Sequence, residues 1–185
     1  ADIAVGDFYC TTESNKTIIL PRNAAGIPTG LTCKGIVFHI IDDFETFKST
    51  NDLNDSNLNG YQEKHGLVVS TKKGNNFGTV AAADIEQAFI DGNVEKYTDT
   101  ETSNGYKLTQ ILVGTENLGF IALNNHTEKL NNSTAWYAPS FNELKYLIQG
   151  ENTQTGSTSG QEYINKQLKK INADELAGTI PSVTF

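Results

Sequence analysis

A mixture of short β-strands and short, capped helices is the fold class this sequence predicts, on three observations. The stretch Ser133 to Gln149, STAWYAPSFNELKYLIQ, carries the only tryptophan, Trp136, and then a complete helix start. Ser140 and Glu143 stand in Ser-x-x-Glu spacing. That spacing lets the Ser140 hydroxyl accept from the Glu143 backbone N–H while the Glu143 carboxylate reaches back to the Ser140 N–H. The run Cys33 to Ile41 is mainly apolar and rich in β-branched residues, the pattern of a strand buried on both faces. Two further segments, Val80 to Ile90 and the one bearing Ile164, Leu168 and Ile171, gather their apolar residues at helical spacing.

Taken in order, Ala4 to Cys10 reads as a first strand and Thr11 to Asn15 as a polar turn. Thr17 to Leu20 is a second strand, ended by Pro21, and Asn23 to Gly30 is a loop rich in Gly, Ala and Pro. After the buried strand, Asp42 to Lys64 is a polar excursion full of Asn, Asp and Glu. His65 to Ser70 is the next strand, and Lys72 to Asn76 a turn. In the helix Val80–Ile90, Ala81, Ile85, Ala88 and Phe89 share a face, with Gly92 as its C′ residue. Tyr97 to Gly105 is polar loop, and Lys107–Val113 and Asn117–Asn125 are short helices interrupted near Gly114. Within the anchor segment, Pro139 sits just outside the helix, where its missing N–H costs nothing. Phe141, Leu144, Leu147 and Ile148 then form an apolar stripe that Gly150 ends. Gln154 to Gly160 is a polar loop; Ser159 and Glu162 repeat the capping-box spacing before a helix ending near Asn172. Ser182 to Phe185 reads as a short terminal strand.

The composition narrows the function. A net charge of −8 and a pI of about 4.8 disfavour nucleic acid and anionic membrane surfaces. No apolar run approaches the roughly 20 residues of a membrane span. One domain over residues 1–185 suits the length. Abundant Asn, Thr, Ser and Gly with 19% charged residues is common in secreted bacterial surface proteins. Cys10 and Cys33 are the only cysteines. In an oxidising compartment a bond between them would close a loop of about 23 residues, worth about 3 kcal/mol by chain entropy. Two separate buried thiols is the other reading.

Motif searches find no phosphate-binding glycine loop and no Gly-x-Ser-x-Gly elbow. Asp52, Asn54, Ser56 and Glu63 fall at positions one, three, five and twelve of a calcium-loop template. Asn57 and Asn59 replace the glycine and the apolar residue that such a loop uses, so a solvated loop is favoured over a calcium site. His39, His65 and His126 are scattered, and strand histidines satisfied locally are favoured over a Cys33 nucleophile paired with His39 or His65. Trp136 and Tyr137 are read first as core anchors and second as a platform for stacking on a sugar.

An ordered series of strings carries a family resemblance. Gly6-Asp7-Phe8-Tyr9, Gly35-Ile36-Val37-Phe38, His65-Gly66-Leu67-Val68-Val69, Asn104-Gly105-Tyr106 and Trp136-Tyr137-Ala138-Pro139-Ser140 with Glu143-Leu144 resemble a domain of Bacteroidetes surface and fimbrillin-associated proteins. That domain is similar to the C-terminal domain of the Legionella collagen-like adhesin. The resemblance implies an α+β, C-type-lectin-like fold of small twisted antiparallel sheets with several short helices, kin to the formylglycine-generating-enzyme group. It implies export to the extracellular or outer-membrane surface as the C-terminal part of a longer protein, with no established catalytic residue. Two departures stand out: Ala138 replaces the family's usual leucine, and the family's closing strands are not found before Phe185. Truncation or completion by a partner strand would account for the second. The function expected is non-catalytic, in adhesion or pilus-like assembly, with a glycan, a matrix protein or another surface subunit as partner. A hydrolase or modifying enzyme on a related fold, and a structural spacer, are the alternatives.

Overall fold

The computed structural model describes residues 3–54, 58, 64–72, 82–95, 98–114, 128–150 and 160–176. Among them the chain forms four strands and five helices, in an α+β arrangement: β1 (Phe8–Thr12), β2 (Thr17–Leu20), β3 (Leu31–Ile41), α1 (Phe44–Thr50), β4 (His65–Ser70), α2 (Ala82–Asp91), α3 (Gly105–Gly114), α4 (Phe141–Gln149) and α5 (Gly160–Lys170). The expected helix 117–125, residues 154–159 of the loop expected over 154–160 and the strand 182–185 lie outside the described residues, as do Ala81, His126 and Ser159; Gly160, expected in that loop, instead opens α5 and is buried. No described helix is long and apolar enough to cross a membrane. Contacts cluster into two compact units: Ala1–Ile40 with Gly66–Lys73 and Tyr146–Phe185, and Ile41–His65 with Gly74–Lys145.

The first unit carries the open antiparallel sheet, in the order β2-β1-β3-β4. Phe8 stands opposite Leu20 on one side and Ile36 on the other, and Phe8, Cys10, Ile36 and Val37 are fully buried. The first strand starts at Phe8 rather than Ala4, because residues 4–7 are a turn closed by Asp7 N–H donating to Ala4 O at 3.1 Å. Gly6 sits in it at φ 93°, and a Cβ there would lie 2.5 Å from the Tyr163 hydroxyl oxygen. β1 also runs on to Thr12, and the hairpin turn is completed by Asn15 at φ 60°. β3 begins two residues earlier than Cys33 and buries Gly35 to Phe38 at its centre. α5 presents Ile164 and Leu168 to this core as expected, with a polar residue the periodicity does not reveal. Gln167 is buried and donates from Nε2 to Gly6 O at 2.7 Å and Arg22 O at 3.0 Å. Asp7 works on the same loops, accepting from the Ala4 and Arg22 backbone N–H groups at 2.8 Å each.

The second unit contains α1, a helix hidden inside the expected polar excursion. Asp43 caps it, accepting from Thr46 N–H at 3.0 Å and Thr46 Oγ1 at 2.7 Å, and Phe47 is its one buried side chain. α2 and α3 pack through Ala88, Phe89, Val94 and Leu112, with Ile85, Leu108 and Ile111 around them. Ile85, Ala88 and Phe89 are thus on the face the sequence predicts.

Three helices end alike. Asp52, Asn93 and Asn172 follow α1, α2 and α5 in the left-handed region, at φ 52°, 53° and 54°. The next residue's N–H then reaches back five positions: Leu53 to Lys48 O at 2.9 Å, Val94 to Phe89 O and Ala173 to Leu168 O at 3.0 Å each. This is the Schellman closure, and Asn and Asp tolerate its C′ position better than other non-glycine residues. The expected C′ residue Gly92 is therefore displaced by its neighbour Asn93. A Cβ on Gly92 would stand 2.9 Å from Ile111 Cδ1, the movable end of that side chain, and 3.2 Å from Ala88 O.

A polar recess beside a buried capping box

The capping box at α4 forms as the sequence predicts. Ser140 N–H donates to Glu143 Oε2 at 2.6 Å, and Glu143 N–H donates to Ser140 Oγ at a longer 3.4 Å. What the spacing does not show is how deep this box lies. Glu143 is completely buried and Asn142 nearly so, while Phe141, Leu144 and Ile148 of the expected apolar stripe are only half-buried. The carboxylate collects the Tyr137 hydroxyl at 3.1 Å and the Gly105 N–H as further donors, with no ion-pair partner among the described residues. Burial raises its pKa above the ordinary carboxylate value, against the lowering effect of these donors. Burial first, and then the neighbouring Glu143, push the Tyr137 phenol well above its usual range. Gly105 has no room for a side chain: a Cβ would sit 2.5 Å from Ser140 N and 2.7 Å from Ala138 O.

The raised Glu143 pKa sets a sign. The folded state holds this proton more tightly than the unfolded chain. The associated stability is present below the unfolded value near 4.5 and is lost as pH rises through the folded value. Asp43 and Glu101, held low by Thr46 and Lys145 respectively, act oppositely, losing their contribution as pH falls. Glu143→Gln keeps an acceptor for Ser140 and a partner for Tyr137 without the charge. The stability of this variant relative to the native chain is expected to be highest at neutral pH and to decline on acidification. Urea unfolding across a pH series checks this, and a pH-independent difference contradicts it.

From this box the chain leads to a recess. Gly105, packed on Glu143, opens α3, and Tyr106 follows, meeting Tyr137 edge-on with ring centroids 5.7 Å apart. Tyr106, Lys107, Gln110 and Ile111 occupy one side of α3 at i, i+1, i+4 and i+5. With Asp52 and Asn93, the left-handed residues that close α1 and α2, they line an open recess of about 470 Å³. Asn51 fixes its floor. Its buried amide donates to Phe47 O at 3.1 Å and Ser103 O at 2.8 Å, and its oxygen accepts from Lys107 N–H at 3.2 Å. Lys107 Nζ pairs with Asp52 Oδ2 at 2.8 Å across the rim, an exposed ion pair worth at most about 1 kcal/mol. An aromatic ring among amide and carboxylate side chains suits a ligand with an apolar face and many hydroxyls.

The residues singled out from the sequence fare differently. Tyr137 spends its hydroxyl on Glu143, and Trp136, half-buried in the segment before α4, does not line the recess. The aromatic residue that does is Tyr106. Asp52 of the calcium template is the C′ residue of α1 and is held by Lys107; Asn54 is exposed; Ser56 and Glu63 lie outside the described residues. No group of three His, Cys, Asp or Glu side chains placed to hold a metal occurs among the described residues. His39 stacks on Tyr146 with centroids 3.8 Å apart, and His65 on Phe44 at 3.4 Å. His39 lies six residues along β3 from Cys33, about 20 Å at the rise of a strand, so the two cannot act as a nucleophile and its base. Beside Cys33, β4 is followed by Thr71, whose hydroxyl donates to Cys33 O at 3.2 Å. Cys10 and Cys33 themselves are brought together, as cross-strand partners with free thiols.

Tyr106, Gln110 and Asn93 were not among the sequence candidates. The usable signal was Tyr106 and Gln110 at i, i+4 on a short helix, one turn apart on a polar side. Comparison with known proteins finds no matching family model, no matching curated protein and no matching solved structure.

Proposed function

We propose that this chain is a non-catalytic, exported cell-surface domain of C-type-lectin-like architecture, acting in adhesion or pilus-like assembly by holding a glycan in the recess of α3. The observation that carries the reading is Tyr106 set between Gln110, Asn93 and Asp52. A pyranose offers one apolar C–H face for the ring and hydroxyls for the amides and the carboxylate. The ordered motif series and the small sheet with short helices support an adhesin-like domain at the extracellular or outer-membrane surface. Presented there, the recess would engage glycan on a host cell, a matrix protein or a neighbouring surface subunit.

Tyr106→Ala is expected to weaken binding of a recognised oligosaccharide at least about tenfold, the loss of one stacked aromatic contact. Gln110→Ala, at an exposed position, is expected to weaken it by a smaller factor without changing Tm. Calorimetric titration of both variants beside the native chain checks this. Unchanged affinity in both places the ligand elsewhere.

A further inference from the structure

We propose that Cys10 and Cys33 are a built disulfide site, in which Cys33 meets the oxidant and Cys10 resolves it, locking β1 to β3. This inference does not rest on the glycan reading. The two residues are direct partners across the β1–β3 ladder, at the point where the register shifts between Tyr9 and Cys10. Opposed residues of antiparallel strands project to the same face at a Cα separation of about 4.5–5.5 Å, inside the range a disulfide spans. Cross-strand partners at that separation hold their thiols on one face, so forming the bond calls for side-chain rotation rather than movement of a strand.

Their environments differ in a way that assigns roles. Cys10 is completely buried, whereas Cys33, near the start of β3, is half-buried. The Cys33 S–H donates to Gly35 O at 3.4 Å, and Cys10 is shut off from solvent, so Cys33 is the thiol that a reagent reaches first. The Cys33 thiolate attacks a low-molecular-weight disulfide, RSSR, giving the mixed disulfide Cys33–S–SR and releasing RS⁻. Cys10 then attacks the Cys33 sulfur, and its proton leaves with the second RS⁻ as RSH. The protein pair loses two electrons and RSSR gains them. The bond closes the loop that contains the β1–β2 hairpin and joins two adjacent strands of the buried sheet.

The test uses the native chain, fully reduced and then treated with glutathione disulfide. The expected result is loss of both thiols together, a monomer lighter by two hydrogens and a cross-linked peptide joining Cys10 to Cys33. Its Tm is expected to rise by on the order of 5–10 °C over the reduced form. In Cys10→Ser the reaction is expected to stop at a glutathione adduct on Cys33, and in Cys33→Ser the folded protein is expected to react at least about tenfold more slowly. The proposal is overturned if the native chain halts at a mixed disulfide, links chain to chain, or keeps both thiols when folded but loses them in denaturant.

Discussion

Glu143→Ala is expected to destabilise the protein by about 3–5 kcal/mol, far more than an ordinary helix-cap substitution. The Ser140 N–H, the Gly105 N–H and the Tyr137 hydroxyl all converge on this one carboxylate. Each donor left unsatisfied in a buried site costs about 1–3 kcal/mol. Removing the carboxylate also relieves its own desolvation, which offsets part of the loss and keeps the sum below the additive figure. Ser140→Ala, by comparison, removes a long 3.4 Å cap bond and a 3.1 Å bond to Thr102 O, and is expected to cost about 1–2 kcal/mol. Urea unfolding of the two variants checks the order. Equal losses would mean that Glu143 acts only as the ordinary half of a capping box.

Gly35→Ala is expected to cost about 2–3 kcal/mol through the other unit. Its Cβ would lie 2.5 Å from Val69 O and collide with Val68 Cγ1. Val68 could turn to another rotamer, but the Val69 carbonyl is backbone of the neighbouring strand β4, so relief requires pushing β4 away from β3. The same separation would strain the Thr71 N–H bond to Lys34 O, now 3.1 Å. Gly30→Ala is a useful contrast, since Gly30 has φ 86° but open space around it. Its penalty is backbone strain alone, about 1–2 kcal/mol. Thermal unfolding that showed Gly35→Ala as the milder of the two would contradict the close approach of β3 and β4.

Elements with strong local signals were legible in the sequence. The β-branched run of β3, the Ser140–Glu143 cap and the apolar face of α2 each depend on residues within one turn or one pleat of each other. α1 was not legible. Its seven residues bury one phenylalanine, and Asp43, Thr46 and Asn51 read as loop residues until the chain brings Ser103 and Lys107 to Asn51. The burial of Glu143 was hidden for the same reason, since Tyr137 and Gly105 become its partners only in three dimensions. Asparagine content pointed toward a surface-protein composition. The structure gives part of it a local cause, because Asn15, Asn93, Asn132 and Asn172 all occupy left-handed backbone. The recess escaped sequence reading because its walls come from three places in the chain: the end of α1, the end of α2 and the first turns of α3.

The most direct measurement of the central claim is a glycan-array screen of the purified chain, run with and without calcium, alongside sedimentation to monitor self-association. The expected result is a reproducible carbohydrate signal from the native chain that Tyr106→Ala removes. A blank array with a monomeric protein would contradict it, and a signal that survives Tyr106→Ala would contradict the placement of the site.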